Sequence, residues 1–240
     1  VAKGSANVGK SRQYQEREVQ NVLAAISEMD EALRAGVQLP ITRERLERLN
    51  FQILDGIPDE PEVVPGKLRE HNVTAGRYVA PHWQDVPHLL DRFVRWLADL
   101  RADVTPESPA RDRFVNAVLA AMLAHLYIAW IHPFGNGNGR LARLIEVQIL
   151  SESGVVPIVA TNLLSDYYNK TRDHGYYRAL DAAQRDVISF IRYAITGFLE
   201  ELRGQIEVVK AENIQIHWES YVYEVFRNMP DTETRTRQRE

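Results

Sequence analysis

The chain has 240 residues, 45% of them hydrophobic and 26% charged, with a formal net charge of −4. That composition fits a folded protein with one good core, or one domain with a short appendage, and a negative balance argues against general nucleic-acid affinity. With no cysteine, disulfides and thiolate metal sites are excluded. No apolar run approaches a membrane span and no signal peptide is visible, so a cytoplasmic location is the default expectation. The chain does not begin with Met, and a fragment of a longer protein is expected.

Residues 1–15 are small and polar, with no clear period. A first helix is predicted over residues 16–35, where Val19, Val22, Leu23, Ile26, Met29 and Leu33 recur at helical spacing and Gly36 closes the run. Thr42 is the expected N-cap of a second helix reaching about Leu54, with Leu46, Leu49 and Ile53 facing inward. Residues 55–65 hold three prolines and several acids, and read as a loop.

Pro65-Gly66-Lys67-Leu68-Arg69 opens a stretch of different character. Asn72-Val73-Thr74 and Arg77-Tyr78-Val79 flank Ala75-Gly76, which predicts a short β-hairpin. A further helix is expected over about residues 86–100. His82 and His88, just before and within it, read as surface or capping groups, since nothing pairs them into a metal site. After a polar loop at residues 101–109, residues 110–131 form a long and almost purely apolar helix. His125 inside it reads as a satisfied core group rather than a catalyst.

Ile131-His132-Pro133-Phe134-Gly135-Asn136-Gly137-Asn138-Gly139-Arg140-Leu141-Ala142-Arg143 is the stretch around which the chain is organised. It lies between two apolar segments, yet it holds three glycines, two asparagines, a histidine and two arginines. Glycine allows positive φ and close approach of backbone amides to a ligand. Successive turn amides make an anion-binding nest, and the start of the next helix adds its positive dipole end. Arg140 and Arg143, placed on the first turn of that helix, reach the same anion. A solvated basic face on an ordinary turn is the bland account of each feature taken singly. Together they point to a polyphosphate held beside one imidazole, with His132 as candidate general base.

Ser153-Gly154 ends the helix, and residues 155–160 are a short apolar segment. Short helices are predicted over residues 166–171 and 174–185. Tyr167, Tyr168, Tyr176 and Tyr177 fall within eleven residues, suited either to amphipathic packing or to a nucleobase wall. Residues 186–209 close the body as a helix carrying Ile188, Ile191, Ile195, Leu199 and Leu202 on one face. The tail, residues 210–240, has helically spaced Trp218, Tyr221, Val222, Val225 and Phe226 before Pro230, and its charged end is expected to be the cut edge of an extension.

The central stretch resembles the signature of the Fic family, His-Pro-Phe-x-Asp/Glu-Gly-Asn-Gly-Arg-x-x-Arg, at every defined position but one: Asn136 stands where the family usually has a carboxylate. The resemblance covers about residues 16–205 and implies an all-α fold with a small β-hairpin flap. It also implies transfer of AMP from ATP to a hydroxyl side chain of a target protein, with Mg²⁺. On that resemblance His132 is the general base and Phe134 anchors the loop. Gly137, Asn138, Gly139 and Arg140 hold the phosphates, Arg143 grips the terminal phosphate, and Asn136 contacts nucleotide and Mg²⁺. The flap, through Ala75, Gly76, Arg77 and Tyr78, touches the nucleotide and docks the target by strand addition. Tyr176-Tyr177-Arg178-Ala179-Leu180 matches a nucleotide-lining pattern, and Gln184 falls where some members place an adenine-contacting Asn.

Many members carry an inhibitory helix, Ser/Thr-x-x-x-Glu-Gly/Asn, whose Glu pairs with the last signature arginine. Ser5-Ala6-Asn7-Val8-Gly9-Lys10 resembles that frame with Gly9 in place of Glu, so residues 1–15 read as a remnant of it, residues 16–209 as the catalytic domain, and residues 210–240 as an extension toward a winged-helix domain. Expected partners are a protein target, a nucleotide and a second copy in a homodimer, with neither membrane nor nucleic acid. Two alternatives stay open because of Asn136: transfer of another phosphate-linked group from a different nucleotide, and a catalytically weak nucleotide-binding regulatory module.

Overall fold

The computed structural model describes residues 12–57, 62–75, 78–156 and 161–228. The frame Ser5–Lys10 and the hairpin residues Gly76 and Arg77 lie outside them. Eight α-helices and one two-stranded antiparallel hairpin make up the described fold.

The first helix, α1 (Arg12–Arg34), packs on α2 (Arg43–Leu54). Thr42 caps α2 as its sequence predicts: its backbone is extended and its hydroxyl accepts a bond from the Arg45 N–H at 3.2 Å. Leu46, Leu49, Ile53 and Leu54 fill the core side of α2. The hairpin is smaller than its β-rich flanks suggest, with β1 (Thr74–Ala75) paired to β2 (Tyr78–Val79) in the register Thr74 with Val79 and Ala75 with Tyr78. A 3-10 turn, Trp83–Asp85, is capped by His82, whose Nδ1 accepts from Gln84 N–H at 3.4 Å. It leads into α3 (Val86–Ala102), with Pro87 in its first turn, where a missing N–H has no cost.

The middle of the fold is α4 (Ala110–Ile131), which packs on α3, α5 and α8. By length and apolarity α4 could cross a membrane, which corrects the reading that no run approaches a span. Its position explains the composition: Ala117, Ala120, Ala121 and Ala124 let neighbouring helices come close, and Met122, Leu126 and Ile128 are fully buried. A helix surrounded by other helices is apolar all round. A six-residue loop then leads to α5 (Asn138–Glu152), its most extensive packing partner.

Residues 163–183 form α6 (Leu163–Lys170), one wide turn with i to i+5 bonding (Arg172–Tyr176) and α7 (Tyr177–Ala183), so the helix expected over residues 174–185 begins three residues later. The last element, α8 (Val187–Asn228), seats Phe190, Ala194 and Phe198 in the core. The break expected near residue 209 is absent; the helix runs on to Asn228, and from Arg203 onward its described side chains are largely exposed.

Candidate active site

The site is assembled where α4 ends. His132 is its C-cap, with φ 48° and ψ 59°, the only positive φ at a non-glycine among the described residues. Its backbone N–H donates to Ile128 O at 3.0 Å, and its ring Nδ1 lies 3.3 Å from Ala129 O. A carbonyl only accepts, so that contact puts the proton on Nδ1 and leaves the Nε2 lone pair as the basic site. Burial pushes the imidazole below its ordinary 6.5; the Ala129 bond raises it, and the nearby Arg69 cation lowers it further. At neutral pH the ring is therefore an uncharged base.

Phe134 is buried in the core, as expected of a loop anchor. Asn138 closes the loop onto it: Phe134 N–H donates to Asn138 Oδ1 at 3.0 Å, and Asn138 Nδ2 donates to Phe134 O at 2.8 Å. The Asn138 side chain is thus consumed inside the loop, and only its backbone N–H is left for a ligand. Gly137 takes φ 82° at the N-cap of α5, and a Cβ there would meet Asn50 Nδ2 at 3.0 Å. No side chain caps α5. The amides of Asn138, Gly139 and Arg140 consequently have no intrahelical acceptor, an arrangement able to take an anion.

Asn136 is organised by three neighbours. Its carbonyl accepts from Asn50 Nδ2 at 2.9 Å, and its Oδ1 accepts from Gly137 N–H at 2.6 Å and Arg140 Nη2 at 3.4 Å. Arg140 also reaches Glu18 on α1, with Nη1 to Oε1 at 3.0 Å. Arg143, one turn on in α5 rather than in its first turn, is half-buried, and burial lowers its pKa while Tyr176 and Glu146 raise it. Among the described residues no cluster of acids and histidines could hold a metal. The protein offers Mg²⁺ one neutral amide oxygen already bonded to Gly137 and Arg140, so these residues do not build a resident metal site.

Of the remaining residues singled out by sequence, Tyr176 joins the loop's surroundings through its interaction with Arg143, and Tyr177 packs beside it with ring centroids 5.3 Å apart. Tyr78 joins through its hydroxyl, which donates to Trp130 O at 2.8 Å. Ala75 sits in the hairpin opposite Tyr78. Gln184 is the exposed C-cap of α7, and no described contact ties it to the loop.

Sequence reasoning overlooked several supports. Asn50, fully buried on α2, ties Asn136 to the Pro65-Gly66 turn, since Gly66 N–H donates to its Oδ1 at 3.0 Å. Glu146, an acid inside the apolar run of α5, lies buried with His125. His125 Nδ1 is 3.1 Å from Glu146 Oε2, His125 Nε2 is 2.7 Å from Tyr176 Oη, and Tyr168 Oη donates to Glu146 Oε1 at 3.1 Å. Burial pushes the Tyr168 and Tyr176 hydroxyls well above their ordinary range, so both keep their protons. An acid and a histidine at core positions of two helices were the available signals. Arg69, a third oversight, is almost fully buried beside His132.

Residues 40–150 match the model of the Fic/DOC family, and this stretch of the chain is a Fic/DOC domain. Over 129 residues, 53% of this chain, it is 30% identical to Protein adenylyltransferase Fic from Drosophila yakuba and 29% identical to the protein of that name from Culex quinquefasciatus. The match covers 22% of each of those proteins, so the chain spans about a fifth of the curated relatives it matches. The fold is similar to that of a Fic family protein from Desulfovibrio desulfuricans G20 (22% identity, TM-score 0.62, covering 83% of this chain and 55% of that one). It is also similar to Fic-1 from C. elegans (23% identity, TM-score 0.62, 87% and 56%). The helical architecture is shared with these structures.

Proposed function

We propose that this domain transfers AMP from ATP to the hydroxyl of a serine, threonine or tyrosine on a target protein. The supporting observation is His132: a neutral imidazole, tautomer fixed by Ala129 O, next to an uncapped helix start flanked by two arginines. His132 Nε2 takes the proton as the target oxygen attacks the α-phosphorus, the bond from that phosphorus to the bridging oxygen breaks, and pyrophosphate leaves. The amides of residues 138–140, with Arg140 and Arg143, neutralise the phosphate charge. Mg²⁺ enters as part of the MgATP substrate, held chiefly by phosphate oxygens, with Asn136 supplying one oxygen at most. The target lies along the hairpin, whose short strands leave an edge for strand addition. Tyr176 and Tyr177 flank the nucleotide.

The test is incubation with Mg²⁺ and α-labelled ATP, GTP, CTP or UTP, followed by detection of protein-bound label. Label from ATP alone supports the reading. Label from another nucleotide replaces it with transfer of a different group. Binding without label points to the regulatory module, for which Asn136 in place of a carboxylate is the motive.

A further inference from the structure

The end of α4 leaves carbonyls that no helical N–H can reach. Glycine usually takes the left-handed position at such an end, and orphan carbonyls then bond to the following backbone. Here a histidine takes that position, and the donors come from elsewhere. His132 N–H and Nδ1 cover Ile128 O and Ala129 O. Tyr78 Oη, from the hairpin, covers Trp130 O. Arg69 covers the rest: Nη2 lies 3.5 Å from Ile131 O, and Nε donates to His132 O at 2.7 Å, while its backbone N–H donates to Pro133 O at 3.0 Å.

The same guanidinium reaches both ends of the hairpin. Arg69 Nη1 donates to His71 O at 2.8 Å, and Nη2 donates to Pro81 O at 2.6 Å. Between them Ala80 N–H closes onto Val73 O at 3.2 Å. Arg69 is 3% exposed and, among the described residues, forms no ion pair with a carboxylate. Its charge is met by carbonyl dipoles alone, at the negative end of the helix macrodipole of α4, where a cation is favoured. A left-handed residue with a Cβ persists only where its surroundings over-determine it, and at His132 Arg69 supplies the donor to the residue's own carbonyl.

We propose that Arg69 is a positioning residue: it holds His132 in its left-handed conformation and joins the hairpin's base and the catalytic loop into one hydrogen-bonded unit. A substrate that moves the hairpin therefore acts on the placement of the imidazole through Arg69 and the His132 backbone. Lysine keeps the charge but cannot reproduce a planar fork bonded to several acceptors.

The inference rests on His132 being the base of the proposed transfer, and its test has one readout that needs no transfer. In Arg69→Lys, kcat for AMP transfer should fall about 10²-fold, as for a base displaced by about 1 Å, while KM for ATP changes less than about three-fold, since Arg69 bonds to none of the amides of residues 138–140. The ¹⁵N ring shifts of His132 should change from one Nδ1-protonated tautomer to a mixture. Unchanged kcat together with an unchanged tautomer overturns the proposal, as does an equal fall in kcat and ATP affinity. If neither form transfers AMP yet the tautomer signal still changes, the positioning role stands and the transfer reading fails. If Arg69→Lys does not fold, exchange of the Arg69 Nε–H in the wild-type protein decides: slow exchange supports the bond to His132 O, and free exchange overturns it.

Discussion

The Glu18 carboxylate lies 3.0 Å from Nη1 of Arg140. Arg140 is a signature arginine expected on phosphate, and Glu18 belongs to α1, outside the signature. A carboxylate here competes with an anionic ligand for the same guanidinium, and both partners are mostly shielded from solvent.

Glu18→Gln should therefore lower KM for ATP about five-fold, equivalent to about 1 kcal/mol for a mostly covered ion pair, with kcat changed little. Initial rates against ATP concentration check this. An unchanged KM means that Arg140 binds phosphate without leaving Glu18.

His132→Ala should reduce transfer by about 10²–10⁴-fold and leave ATP affinity within a few-fold. The pH dependence has a defined sign. The pKa lies below 6.5, so the base form persists to lower pH than a free imidazole would allow. kcat should be flat through neutral pH and fall only below about 6.5. A limb at or above that value contradicts the burial assigned to the ring.

These two sites differ in how legible they were. The histidine, the glycines and the arginines announce themselves because they interrupt apolar sequence, and the helices on either side follow from periodicity. Thr42 and Ile131 mark their helix ends correctly for the same reason: capping and termination are local. Glu18, Asn50 and Arg69 were not legible. Each reaches the loop from an element distant in the chain, and a lone polar residue on a helix or in a turn carries no sign of what it will meet. The outer half of α8 was misread because glycine and a change of face near residues 204–210 mimic a helix end, while no tertiary contact is needed for the backbone to continue.

Asn50→Ala leaves Asn136 O and Gly66 N–H without their buried partner. It should cost about 2–3 kcal/mol in urea unfolding and raise KM for ATP by loosening the loop. A loss below about 0.5 kcal/mol, the scale of an ordinary surface substitution, removes Asn50 from the supports of the loop.

His125→Phe removes the group shared by Glu146 and Tyr176 and leaves the buried Glu146 carboxylate with the Tyr168 hydroxyl as its remaining partner. About 3 kcal/mol of destabilisation is expected. Pairing it with Glu146→Leu should restore part of that loss, because no unpaired charge is left in the core. Thermal unfolding of both single variants and the double variant measures the coupling.

Asn136→Asp adds a carboxylate where only an amide oxygen now stands. If Asn136 contributes to Mg²⁺ use, the variant should need less Mg²⁺ for half-maximal labelling. Superimposable titrations would remove position 136 from the metal's environment.

Paired labelling separates AMP transfer with His132 as base from every other outcome. Wild-type protein and His132→Ala are each incubated with Mg²⁺ and a protein lysate, once with α-labelled and once with γ-labelled ATP. Measured against the lysate alone, the wild-type protein should add protein-bound label from the α-phosphate and none from the γ-phosphate, with release of pyrophosphate, and His132→Ala should lose both. γ-Phosphate label that depends on the added protein, or α-label that survives the loss of His132, would overturn AMP transfer by this residue.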